Sequence, residues 1–236
     1  MPSTGATFLP MSEPSPRIES LGVTRTARYA VLGRPESAPE LWVALHGYGQ
    51  LAERFIRRFQ ALPGIGERRA VVAPEALNRF YVENTRGSHG PGSRVGATWM
   101  TRHDRDNEVR DYVFYLDALL DRVRPGAAAH VLLGFSQGAE TASRWAVLGA
   151  TRPATLILWG GGVAEDLAPE TLRARLEHTR VVLVTGDEDP WGRKRSGETL
   201  ALLRDLGLAP ERVEFPGGHR LNADVLRDLA LAGSGG

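Results

Sequence analysis

Gly134-Phe135-Ser136-Gln137-Gly138 sets a serine between two glycines, a G-x-S-x-G pattern that is weak alone and informative in its context. The apolar run His130–Gly134 leads into it, and a segment with the small residues Ala139 and Ala142 leads out. A strand that turns this sharply into a helix strains the backbone of the serine. Side chains in place of the flanking glycines would strike the neighbouring strand and helix. The helix start at Gln137 aims free N–H groups at developing negative charge. Such a serine can attack a carbonyl carbon, provided that a base removes its proton.

For a nucleophile on such a turn, the partners follow it along the chain, acid first and histidine last. His46, His89, His103 and His130 precede Ser136, and His178 precedes the strand that would carry the acid. That leaves His219, in the glycine-rich Pro216-Gly217-Gly218-His219 after a short strand. The acid then belongs to Gly186-Asp187-Glu188-Asp189-Pro190, which follows the apolar run Val181–Val184. Its task is to hold the imidazole in one tautomer and to stabilise the imidazolium. Pro190 stiffens the position after Asp189, so Asp189 is favoured, with Asp187 as the runner-up and Glu188 solvated.

Acyl transfer also needs donors for an oxyanion. The Gln137 N–H is one. The other is expected in His46-Gly47-Tyr48-Gly49-Gln50, behind the run Leu41–Leu45, with the Tyr48 N–H as the natural choice. His46 is expected to anchor this loop through ring hydrogen bonds and not to act as a base. A weaker set, Arg79, Tyr81, Arg86, Trp99 and Arg102, lies on or near the long Asn78–Met100 stretch, which has no clear period. These residues are candidates for lining a substrate pocket, with an arginine holding a substrate carboxylate or phosphate.

Positioning these groups takes strands alternating with helices. Leu41–Leu45, Ala70–Ala73, Val131–Phe135, Leu156–Trp159, Val181–Thr185 and Val213–Phe215 read as buried strands, with a further antiparallel edge within Thr24–Leu32. Helical spacing marks Leu51–Leu62, Glu108–Val123 (capped by Asp106 or Asn107), Ala139–Leu148, Thr171–Glu177, Gly197–Leu206 and Leu221–Leu231. The alternation predicts an α/β protein whose mostly parallel sheet carries helices on both faces. Residues 1–20 and 233–236 are expected to be flexible, and residues 21–232 to form a single domain.

Composition narrows the function classes. The formal net charge of +1 gives no global field toward nucleic acid or an anionic membrane. With no cysteine, disulfides, thiolate metal sites and a cysteine nucleophile all drop out, which is compatible with a cytoplasmic location. Prolines break Met1–Pro16, which reads as neither signal peptide nor anchor, and no run of about eighteen uncharged apolar residues exists.

Leu45-His46-Gly47-Tyr48-Gly49, Gly134-Phe135-Ser136-Gln137-Gly138-Ala139, Gly186-Asp187-Glu188-Asp189-Pro190 and Gly218-His219 together resemble the phospholipase/carboxylesterase family of the α/β-hydrolase superfamily, which includes acyl-protein thioesterases. The resemblance covers the chain from about Leu41 onward. It implies a catalytic triad of Ser136, Asp189 and His219, with Tyr48 and Gln137 as backbone donors, and strengthens Asp189 over Asp187. It also implies the α/β-hydrolase fold, a central sheet of about eight strands, and no metal or organic cofactor. Trp191 and Gly192 depart from the small aliphatic residues common after the family's aspartate, and the arginine- and glycine-rich Asn78–Met100 stretch, running on through 101–105, does not look like the acyl-protein thioesterases. The function expected is hydrolysis of carboxylic esters of short to medium acyl chains through an acyl-enzyme. Acyl thioesterase or lysophospholipase activity is the alternative, ahead of a peptidase or a non-catalytic ligand-binding protein. The expected partner is a small-molecule ester, with a homodimer left open.

Overall fold

Apolar runs too short for helices become strands that meet edge to edge. The computed structural model describes residues 15–82, 89–124 and 131–232. In chain order the elements are β1 (Tyr29–Leu32), β2 (Glu40–Leu45), α1 (Ala52–Phe55), β3 (Arg69–Pro74), β4 (Asn78–Tyr81), β5 (Val95–Thr98), α2 (Arg105–Val123) and β6 (Val131–Phe135). There follow α3 (Gln137–Leu148), β7 (Thr155–Trp159), α4 (Pro169–Leu176), β8 (Arg180–Gly186), α5 (Pro190–Asp205), β9 (Glu211–Phe215) and α6 (Ala223–Ala232). Among the described residues one seven-stranded sheet runs in the order β1-β3-β2-β6-β7-β8-β9. All neighbours in it are parallel except β1, which lies antiparallel on β3 as the edge strand. This is the mostly parallel sheet that the alternation predicted, with seven strands where the resemblance implied about eight.

Alternation along each strand divides the core. Leu41, Val43 and Leu45 of β2 face one side with Leu132, Leu156, Leu158, Val181 and Leu183, covered by residues of α2, α3, α4 and α5. Trp42 and Ala44 face the other with Leu133, Ile157, Trp159, Val182 and Val184, covered by Phe55, Phe59, Leu226 and Leu229. Fully burying each such side chain stabilises the fold by roughly 1.5–3 kcal/mol.

Four local expectations are corrected. The segment 51–62 is a four-residue α1 that tightens into a 3₁₀ turn at Ile56–Phe59, since the apolar spacing satisfies either geometry. The Asn78–Met100 stretch is not a plain loop, because its ends pair as the β4–β5 hairpin, with Arg79 opposite Ala97. Strands this short carry too few residues to show a period. Helix α2 begins after Asp104, in left-handed conformation at φ 54°, and Asp104 accepts from the Asn107 side-chain amide at 2.8 Å where a backbone cap was expected. Helix α5 begins at Pro190, not Gly197, because Asp189 caps it and proline fits the first helical position.

Candidate active site

Six parallel strands end on one edge, and residues just past the ends of β2, β6, β7, β8 and β9 build the site, as expected of an open α/β sheet. After β6 the chain reverses at Ser136, whose φ of 55° and ψ of −121° are forbidden to most side chains. Its amide donates to Trp159 O at 2.8 Å. A Cβ at Gly134 would meet the Gly138 carbonyl, and one at Gly138 would meet the Leu45 and His46 carbonyls, so both glycines are required by contact. Ser136 therefore stands at the start of α3.

Past β8, Asp189 is 4% exposed and divides its two oxygens. Oδ1 accepts from the Gly192 amide at 2.9 Å, and Oδ2 meets His219 Nδ1 at 2.5 Å. Asp187 turns the other way, accepting from the Gly217 amide at 2.8 Å and bracing the loop that carries His219. The imidazole packs against Phe135 at 5.0 Å between ring centroids and meets the edge of Trp191 at 5.8 Å. A Cβ at Gly160 would sit 3.0 Å from the His219 ring, and one at Gly161 2.9 Å from Ser136 O. The turn after β7 thus touches both residues and needs glycine at both places.

Past β2, the loop 46–50 is held from below and from the side. His46 is fully buried, with Nε2 accepting from the Ala76 amide at 3.0 Å and Nδ1 donating to Gly47 O at 2.8 Å. Burial pushes its pKa down to about 4, against weaker opposing effects of the Gly47 hydrogen bond and the Glu75 charge. The ring is an anchor, as its sequence position suggested. The hairpin clamps the same loop, Gly49 N donating to Ala97 O at 2.9 Å and Ala97 N to Gln50 O at 3.1 Å. The Gln137 side chain ties the hairpin's end to α3, donating to Met100 O at 2.9 Å and accepting from Trp99 N at 3.1 Å. Neither the Tyr48 nor the Gln137 amide N–H has a hydrogen-bond partner among the described residues.

A cleft of about 300 Å³ lies against His219 and Phe135, lined also by Gly49, Gln50, Leu51, Val95, Leu221 and four arginines. Arg79, Tyr81, Trp99 and Arg102 are not among its lining. Arg79 pairs with the buried Glu75 at 2.7 Å, Tyr81 stacks on His89 at 3.8 Å, and Trp99 is buried with its indole N–H on His46 O at 2.8 Å. Arg102 is exposed on the bend before α2, and Arg86 lies outside the described residues. The arginines that do line the cleft are Arg54, Arg58, Arg94 and Arg220. Two sequence signals were available for them: the four-residue spacing of Arg54 and Arg58 on the polar side of their segment, and Arg220 following His219.

The comparisons agree with this architecture. A structure titled esterase PE8 is 23% identical with a TM-score of 0.62, covering 88% of this chain and 98% of that one. Zea mays acyl-protein thioesterase 2 is 16% identical with a TM-score of 0.65, covering 88% of this chain and 97% of that one. A carboxylesterase from Mesorhizobium loti is 18% identical with a TM-score of 0.64, covering 88% and 95%. These likenesses establish the fold. No curated protein matches the sequence. The model of the family described as Serine hydrolase (FSH1) matches residues 39–223, a span that runs from β2 through the loop bearing His219. With that match over most of its length, the chain belongs to the FSH1 serine hydrolase family and has the α/β-hydrolase fold.

Proposed function

We propose that this protein hydrolyses small carboxylic esters, with Ser136 as nucleophile, His219 as general base and acid, and Asp189 as the group that orients His219. The observation that carries the reading is the 2.5 Å contact of buried Asp189 with His219 Nδ1, beside the Gly160-Gly161 turn that leaves no room for a Cβ next to His219 or Ser136. Ser136 Oγ attacks the ester carbonyl carbon while its proton passes to His219 Nε2. The oxyanion is held by the unpaired amides of Tyr48 and Gln137. His219 gives the proton to the departing alcohol. It then takes one from water, whose oxygen attacks the acyl carbon; the bond to Ser136 Oγ breaks, and that oxygen takes the proton back from His219 as the acid leaves.

The cleft beside His219, about 300 Å³, is at the small end for ligand pockets, which suits a small ester. Ser136→Ala is expected to lower kcat on p-nitrophenyl butyrate by about 10⁴-fold or more, with unchanged far-UV circular dichroism. Near-wild-type turnover by that variant would reject the assignment. A matched series of oxygen esters and thioesters, run on the wild-type protein, separates an esterase from a thioesterase.

A further inference from the structure

Arg54, Arg58, Arg94 and Arg220 all line the cleft beside His219, and among the described residues no carboxylate lines it. The whole chain nearly balances its charges, with 29 Lys and Arg against 28 Asp and Glu, so a one-signed cleft is a local arrangement. Some arginines elsewhere pair with acids. Arg28 pairs with Glu53, Arg180 with Glu211, Arg195 with Glu165 and Glu198, and Arg227 with Asp224. Around the cleft, the Arg220 guanidinium donates to Pro216 O at 3.3 Å, and none of the four enters an ion pair among the described residues. Four like charges around one concavity repel each other and focus a positive potential into it. An anion in the cleft would relieve that repulsion.

We infer that the substrate of this site is an ester carrying a second, anionic group, a carboxylate or phosphate, which the Arg54, Arg58, Arg94 and Arg220 guanidinium groups hold while the ester carbonyl faces His219 and Ser136. The inference rests on the esterase reading above and adds the substrate class. Arginine suits the task because its planar fork donates in pairs to carboxylate and phosphate oxygens. Arg54 and Arg58, four residues apart, offer two such forks, and Arg94 just before β5 and Arg220 just after His219 line the same cleft. Arg79, which the sequence also suggested for an anion, is paired with Glu75 and does not line this cleft.

The test compares esters that differ in charge. Mono-p-nitrophenyl glutarate is set against p-nitrophenyl butyrate for a carboxylate, and the acetyl ester of glycerol phosphate against monoacetin for a phosphate. In the wild-type protein, kcat/KM for at least one charged ester is expected to exceed that of its neutral partner by about tenfold or more, and which pair shows it names the anion. In Arg54→Gln/Arg58→Gln that ratio is expected to fall by about tenfold. Equal or better use of both neutral esters, or a ratio that survives the double substitution, overturns the inference. If the wild-type protein turns over none of the esters, the esterase reading fails, and calorimetry still judges the anion site. Succinate or inorganic phosphate should bind at low ionic strength and bind more weakly to the double variant. Absence of binding by either, or equal binding by the variant, overturns it.

Discussion

Asp189 serves two structures with its two oxygens. One caps α5 through the Gly192 amide, and the other holds His219 Nδ1. Asparagine in its place can keep an oxygen on the Gly192 amide, but its amino group then faces Nδ1 and drives the ring proton onto Nε2, where it blocks acceptance from Ser136. Asp189→Asn is therefore expected to lower kcat by about 10⁴-fold with little change in thermal midpoint. Asp187→Asn keeps an acceptor for Gly217 N and is expected to cost less than about tenfold. Steady-state kinetics on the pair decides, and a loss confined to Asp187→Asn would reverse the roles. From the sequence, three carboxylates stood in this turn. Pro190 pointed to the one that meets His219, since a proline after the cap starts α5 there.

The element that governs the Tyr48 amide is the loop after β2, and its rigidity depends on an uncharged His46. The folded-state pKa of that ring is lowered to about 4, so the stability its neutral form contributes is complete above the unfolded value near 6.5. That stability drains as pH falls toward and through about 4. Between about pH 7.5 and about pH 4.5, His46 is expected to remove on the order of 2–3 kcal/mol. Urea unfolding of the wild-type protein and of His46→Gln tests this. The variant should lose less stability over the same interval, and parallel profiles would refute the coupling. The loop's role was readable because His46-Gly47-Tyr48-Gly49 stands at a strand end. Its clamp was not. The β4–β5 hairpin pairs through four residues on each side, and Gly96 is required by the Gly49 backbone, a tertiary contact that no local period records.

Across the molecule, legibility followed burial. The interior parallel strands β2, β3, β6, β7 and β8 are apolar on both faces and stand out as continuous runs, which is why the sheet and its helices could be read from one chain. Helix starts were harder, because α2 and α5 begin with residues whose side chains bond in ways that spacing does not encode. The cleft was hardest, since Arg54, Arg58, Arg94 and Arg220 come from three separate segments and meet only after the sheet has formed. The sheet brings the ends of β2, β6, β7, β8 and β9 to one edge, and the proposed reaction needs that convergence to activate a single serine. Labelling the wild-type protein with a fluorophosphonate and mapping the adduct by peptide mass measures that activation directly. The expected result is one adduct per chain, on the peptide containing Ser136, and none on Ser136→Ala. An unlabelled wild-type protein, or an adduct that persists in Ser136→Ala, would contradict it.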